Sequence, residues 1–287
     1  MTISRAAARR SPRKRSQVGR EGRPGTAALA LAAAFVLAAC DAKRPVVVVT
    51  EHAEAELVAA SDALEPGRTT LVALRLKAKP GWHTYWRNPG DSGQPTSIAW
   101  RLPDGFSAGP IRWPVPQRMP VGPLANYGYE GEVLLASEIR VPQGAGGPAT
   151  LGARARWLAC DPDHCIPEEA DLVLALPVAP AERGKWTAQF KAIRMPETAP
   201  AQWKFSARRE GERVLLDITG APAQALYFFP YDEGKVQHAA PQPLESTANG
   251  VRLVIPVSSQ PVGEFNRVRG LLAAADRRAF EVDVPVQ

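Results

Sequence analysis

Long apolar runs, basic stripes and cysteines are all scarce in this 287-residue chain, and each shortage narrows what it can be. The longest uncharged apolar stretch, "TAALALAAAFVLAA" (residues 26 to 39), is fourteen residues long. A bilayer core takes about 20 residues of helix, so this stretch is too short to span one. No stretch of lysine and arginine interleaved with aromatics offers a nucleic-acid surface. Nucleophile elbows, phosphate loops and zinc-protease helices are absent, which leaves a hydrolase reading without support. Cysteine occurs only at positions 40, 160 and 165.

The short apolar stretch follows a basic run, "RRSPRKRSQVGREGR", and small residues precede Cys40. That order describes an export signal over residues 1–39. "LAAC" (Leu37 to Cys40) resembles the bacterial lipobox, which implies lipidation of Cys40 and a mature chain that begins there. Asp41, next to the cysteine, favours retention at the inner membrane, so the expected location is the periplasm with a lipid anchor. The signal segment holds eight of the 35 Lys and Arg and one of the 29 Asp and Glu, leaving 27 against 28 in the mature chain. The basicity of the full sequence therefore belongs to the signal, and no nucleic-acid partner is expected.

About 248 mature residues fit two domains. A Pro- and Ala-rich connector from Leu176 to Trp203 places the boundary near residue 185, giving domains over 40–185 and 186–287. Trp186 and Phe190, spaced i and i+4, predict a short helix in that connector. On both sides short strands alternate between faces. Leu74, Leu76 and Ala78 share one face, as do Leu151, Ala153, Ala155 and Trp157, with Arg154 and Arg156 opposite. Phe280, Val282, Val284 and Val286 repeat the pattern near the C-terminus. With 28 prolines, 23 glycines and no long amphipathic helix, the expected fold class is all-β, two immunoglobulin-like antiparallel β-sandwiches after the signal segment.

Cys160 and Cys165 lie in "WLACDPDHCIPEEADL" (157 to 172), in the connection between two strands. Three chemistries fit the pair. A structural staple needs only proximity. A metal clip would take Cys160, His164 and Cys165 with Asp161 or Asp163. A redox pair needs an accessible thiolate, which protonated His164 would favour and the carboxylates of Asp161, Asp163, Glu168 and Glu169 would oppose. The C-x-x-C of thioredoxins is missing, so a redox role would sit on a β-sandwich loop.

"GWHTYWRNPGDSGQPTSIAW" (81 to 100), "NYGYEGEVLL" (126 to 135), the cysteine segment and "FFPYDEGKVQHAAPQPL" (228 to 244) together resemble the N-terminal periplasmic region of the DsbD and ScsB family of thiol:disulfide interchange proteins. The resemblance implies an immunoglobulin-like domain whose cysteines, here Cys160 and Cys165, take electrons from a membrane donor and pass them to thioredoxin-like periplasmic partners. It implies no bound cofactor and no metal. Cys165 is expected to exchange and Cys160 to resolve. Full family members continue into membrane and thioredoxin domains, so this chain is expected to depend on a separate membrane protein for electrons. The competing reading is a non-enzymatic lipoprotein that docks a partner or handles copper, with a structural bridge.

Around the pair, Trp82, His83, Tyr85 and Trp86 read as core and strand-edge packing, or as a wall around the disulfide. Tyr127 and Tyr129 read as edge tyrosines, or as hydroxyls that donate to a thiolate. The second domain, with Phe228, Phe229, Tyr231, Asp232, Glu233 and His238 but no cysteine, reads as a spacer or docking module.

Overall fold

A computed structural model describes residues 46–276 and 278–287. The export signal, the lipidation at Cys40 and the cut before it lie outside the described residues. Eleven strands build the first half: β1 (Val48–Val49), β2 (Ala53–Ala59), β3 (Thr69–Ala78), β4 (His83–Gly90), β5 (Ser97–Arg101), β6 (Ser107–Ala108), β7 (Gln117–Val121), β8 (Leu124–Glu130), β9 (Glu132–Arg140), β10 (Pro148–Cys160) and β11 (Cys165–Pro177). They form a five-stranded sheet in the order β1-β2-β3-β9-β6 and a six-stranded sheet in the order β11-β10-β4-β8-β7, where β5 also pairs with β10. After a single short helix, α1 (Thr187–Ala192), come β12 (Glu197–Thr198), β13 (Lys204–Glu210), β14 (Arg213–Thr219), β15 (Leu226–Pro230), β16 (Leu244–Thr247), β17 (Gly250–Pro256), β18 (Arg267–Ala274) and β19 (Ala279–Pro285). These make two four-stranded sheets, β12-β19-β18-β15 and β13-β14-β17-β16. The fold class is therefore all-β, with two immunoglobulin-like sandwiches, and among the described residues no helix is long and apolar enough to cross a membrane.

Period-two patterning accounts for the cores, because alternate side chains of a strand point to opposite faces. Leu57, Leu74, Leu76 and Leu135 of the five-stranded sheet meet Trp86, Tyr127, Leu151, Ala153 and Leu172 of the six-stranded sheet in one buried cluster. The opposite face of β10 carries Arg154 and Arg156, both paired with Glu169 on β11. The expected helix forms, and Trp186, Phe190 and Ile193 cover Val58, Ala73, Leu134 and Ala136 on the outer side of the five-stranded sheet. The connector stays with this sandwich as far as Arg194, whose carbonyl accepts from Val115 N at 2.8 Å.

The two halves share apolar contact: Phe229, Leu271 and Ala279 of the second join the core of the first. Trp86, fully buried, meets Phe229 edge-on at 6.2 Å and Tyr231 at 5.7 Å. Asn88, also fully buried, donates from Nδ2 to the carbonyls of Pro230 at 2.9 Å and Asp232 at 3.2 Å. Trp86 thus fills the junction, while its indole N–H has no partner among the described residues. Trp86→Ala is expected to lower stability by about 3–5 kcal/mol, the usual cost of emptying a buried tryptophan site. Trp86→Phe, which also removes the unpaired N–H, should cost much less; urea unfolding of both variants checks the contrast.

Candidate redox site

The cysteine pair stands at the tip of the longest hairpin in the described chain. β10 and β11 pair rung by rung from Pro148↔Pro177 to Cys160↔Cys165, so the cysteines are the last rung before the turn. Their Cα atoms are 4.2 Å apart and a disulfide joins them. Asp161–His164 closes the turn: Asp161 N donates to His164 O at 2.9 Å, and Asp161 Oδ1 accepts from the backbone N of Asp163 at 2.8 Å and of His164 at 2.6 Å. A short polar side chain that takes its own following N–H groups is how Asp initiates turns. These backbone N–H groups hold the Asp161 carboxyl below its usual range.

The two sulfurs occupy unlike environments. Cys160 is 1 % exposed, whereas Cys165 is exposed and is followed by Ile166, itself 38 % exposed. β4 flanks Cys160, with His83 as its cross-strand partner. Trp86 of β4 enters the core, so by alternation His83 and Tyr85 lie on the opposite face. There the Tyr85 hydroxyl lies 3.8 Å from Cys165 Sγ and 3.3 Å from His83 Nε2. Asn126 Nδ2 donates to the same hydroxyl at 3.5 Å, and Asn126 Oδ1 accepts from Ser92 N at 3.1 Å and Ser92 Oγ at 3.0 Å. Gly93, at φ 104°, lies flat on the Tyr85 ring, where a Cβ would come within 2.2 Å of a ring carbon. Burial pushes the His83 imidazole below its ordinary value, against the opposing charges of Glu130 and Asp161. Burial also pushes the Tyr85 phenol up.

Three residues beyond Cys165, the nearly buried Glu168 binds the hairpin to the start of the described chain. Its Oε2 accepts from Thr50 Oγ1 at 2.7 Å and Trp157 Nε1 at 3.0 Å; its Oε1 accepts from His52 N at 3.1 Å and meets His52 Nδ1 at 2.9 Å. The His52 ring lies on Trp82 at 3.8 Å between centroids.

Several residues singled out in the sequence fall elsewhere. Tyr127 and Tyr129 do not serve the thiols: their side chains are buried on the inner face of β8. The Tyr127 hydroxyl meets Tyr227 Oη at 3.0 Å and His238 Nδ1 at 3.0 Å, at the junction with the second sandwich, and Tyr129 donates to Pro114 O at 2.8 Å. Both face the core because alternation along β8 puts them on the side where Trp86 packs. His164 is in the turn, with its side chain 69 % exposed and Nδ1 3.4 Å from Asp161 Oδ1. The hydroxyl that lies beside Cys165 Sγ is that of Tyr85. The signal available for it was the spacing of His83 and Tyr85 on one face of a strand. Among the described residues no three His, Cys, Asp or Glu side chains gather as metal donors.

Glu168→Gln keeps the size of the side chain but replaces one of the two acceptor oxygens by an amide donor. With N–H and O–H groups left unpaired in a nearly closed site, stability is expected to fall by about 1–3 kcal/mol, and urea unfolding measures it. A change within error would mean that the four contacts contribute nothing net.

The family model described as "Thiol:disulfide interchange protein DsbD, N-terminal" matches residues 54–177, which span the strands of the first sandwich from β2 to β11 and both cysteines. Among solved structures, the N-terminal periplasmic domain of ScsB from Proteus mirabilis superposes with a TM-score of 0.61 at 19% identity, covering 83% of this chain and 94% of that one. Domains 5-6 of the S-layer protein SbsC align over 85% of this chain and 98% of theirs, at 10% identity and a TM-score of 0.21 that carries no argument. No curated protein sequence matches the chain. The sandwich that presents Cys160 and Cys165 thus matches the model of the DsbD N-terminal family of thiol:disulfide interchange proteins, and its fold is that of the ScsB periplasmic domain.

Proposed function

We propose that the chain is a periplasmic thiol:disulfide interchange module that carries electrons between a membrane reductase and thioredoxin-like partners, tethered by a lipid on Cys40 once residues 1–39 are removed. The observation that carries this reading is the asymmetry of the pair: one cysteine is exposed at a hairpin tip with its sulfur beside a hydroxyl, and the other is enclosed behind it. Disulfide exchange requires a sulfur that a partner thiolate can reach and a second that stays shielded until the mixed disulfide forms.

In the reducing direction, the Cys165 thiolate attacks a partner disulfide. One partner sulfur bonds to Cys165 and the other leaves as a thiolate and takes a proton. Cys160, deprotonated, then attacks Cys165 Sγ, the mixed disulfide breaks, and the partner's remaining sulfur departs and is protonated in turn. Two electrons pass to the partner, and the Cys160–Cys165 disulfide that results is reduced again by the dithiol of the membrane donor. No bound cofactor enters these steps. The second sandwich, fixed to the first through Trp86, Asn88 and Tyr127, acts as a rigid docking extension.

The reduction potential of the pair, measured on protein lacking residues 1–40 in glutathione buffers, is expected between about −180 and −270 mV, the span of exchange proteins. A pair that resists reduction below about −300 mV would instead indicate a stapled, non-enzymatic binding module. Cys160→Ser should accumulate a mixed disulfide with thioredoxin-like partners through Cys165, and Cys165→Ser should form none.

A further inference from the structure

The Tyr85 hydroxyl is the meeting point of three groups, on His83, Asn126 and Cys165, and their hydrogen-bonding capacities leave it few arrangements. Asn126 is oriented by Ser92, whose N and Oγ both reach Asn126 Oδ1. The Asn126 amide nitrogen is therefore turned toward Tyr85, and as a nitrogen with two hydrogens it can only donate. One lone pair of the tyrosine oxygen is taken. The oxygen's remaining lone pair and its proton can then serve His83 Nε2 at 3.3 Å and Cys165 Sγ at 3.8 Å, one each. Either the hydroxyl donates to His83 and accepts from a Cys165 thiol, or it accepts from His83 and donates to a Cys165 thiolate.

Those two arrangements differ by the position of one proton. We infer that His83, acting through the Tyr85 hydroxyl, takes the proton of the Cys165 thiol when the pair is reduced, and this rests on the interchange reading above. The Cys165 S–H bond breaks as its proton passes to the tyrosine oxygen, and the proton that oxygen held passes to His83 Nε2. Tyr85 stays neutral throughout and ends donating to the new thiolate. When the thiolate attacks a partner disulfide, His83 returns its proton by way of Tyr85 or solvent, and the partner's leaving thiolate is protonated. No outside oxidant or base is consumed.

The surroundings of His83 act on its two states in opposite directions, and burial is the larger influence. Burial keeps the imidazole neutral, and so able to accept, through neutral pH. The charged groups that face it are Glu130, its cross-strand partner on β8, and Asp161, next to Cys160; both are acidic and steady the imidazolium once the proton arrives. Cys160 itself is its cross-strand neighbour on β10. His164, the histidine adjacent to Cys165 in sequence, points its exposed ring toward Asp161. The turn histidine thus makes its one ionic contact within the turn, and the strand histidine contacts the tyrosine that touches the sulfur.

The test isolates one thiol. In a Cys160→Ala background, ultraviolet thiolate absorbance against pH reads the Cys165 ionisation directly and does not depend on any partner or on a reduction potential. Tyr85→Phe, which keeps the ring under Gly93, is expected to raise the Cys165 pKa by about one unit or more, about tenfold less thiolate at neutral pH. An unchanged titration would overturn the relay. The second variant, His83→Gln, retains an acceptor but cannot carry the proton. On lowering pH, the rate of attack of the parent on oxidised glutathione should fall with two protonations, that of His83 and that of Cys165, and the rate of His83→Gln with one. Identical pH–rate profiles for the two proteins would sink the role of His83. A potential outside the exchange range with these titrations as expected would remove the interchange reading and leave the relay standing.

Discussion

The β10–β11 ladder is the constraint on which the site depends. Thirteen consecutive cross-strand pairs bring Cys160 opposite Cys165 and leave only four residues to turn the chain. A slip of one residue in that register would exchange the faces of every side chain on the strand, sending Leu151, Ala153, Ala155 and Trp157 to solvent and Arg154 and Arg156 into the core. The hydrophobic pattern therefore fixes the register, and the register fixes the sulfurs. Arg154 and Arg156 gripping Glu169 on the solvent side reinforce the same pairing, though exposed ion pairs contribute little each.

Around this hairpin the sandwich supplies asymmetry. The side of Cys160 is closed by β4, while β11 runs on from Cys165 as the outer strand of its sheet. A buried carboxylate, Glu168, then ties the hairpin to Thr50 and His52. Buried carboxylates are costly unless every oxygen finds donors, and Glu168 meets that demand with partners from two separate stretches of chain, Thr50 and His52 on one and Trp157 on the other. The outcome is a hairpin tip that is exposed at Cys165 but anchored beneath it.

The second sandwich is joined through aromatic and amide contacts, not through a loose linker. Asn88 and Trp86 belong to β4, the strand that also carries His83 and Tyr85. Within eight residues one strand thus contacts the cysteine hairpin at one end and the second sandwich at the other. The register break between Tyr85 and Gly90 lies between these two jobs, as bulges commonly do where a strand must redirect side chains.

Sequence alone determined the features set by local chemistry and periodicity: the alternating faces of β3, β10 and β19, the short helix behind Trp186, the turn between the cysteines and the resemblance that pointed to thiol exchange. Tertiary structure alone decided which hydroxyl meets the sulfur. Tyr85 is eighty positions from Cys165, and the sequence points to Tyr127 and Tyr129 as donors instead, until the sheet order places β4 against β10 and turns β8's tyrosines inward. Periodicity specifies that a side chain faces one side of a strand; only the pairing of strands distant in sequence specifies what stands on that side.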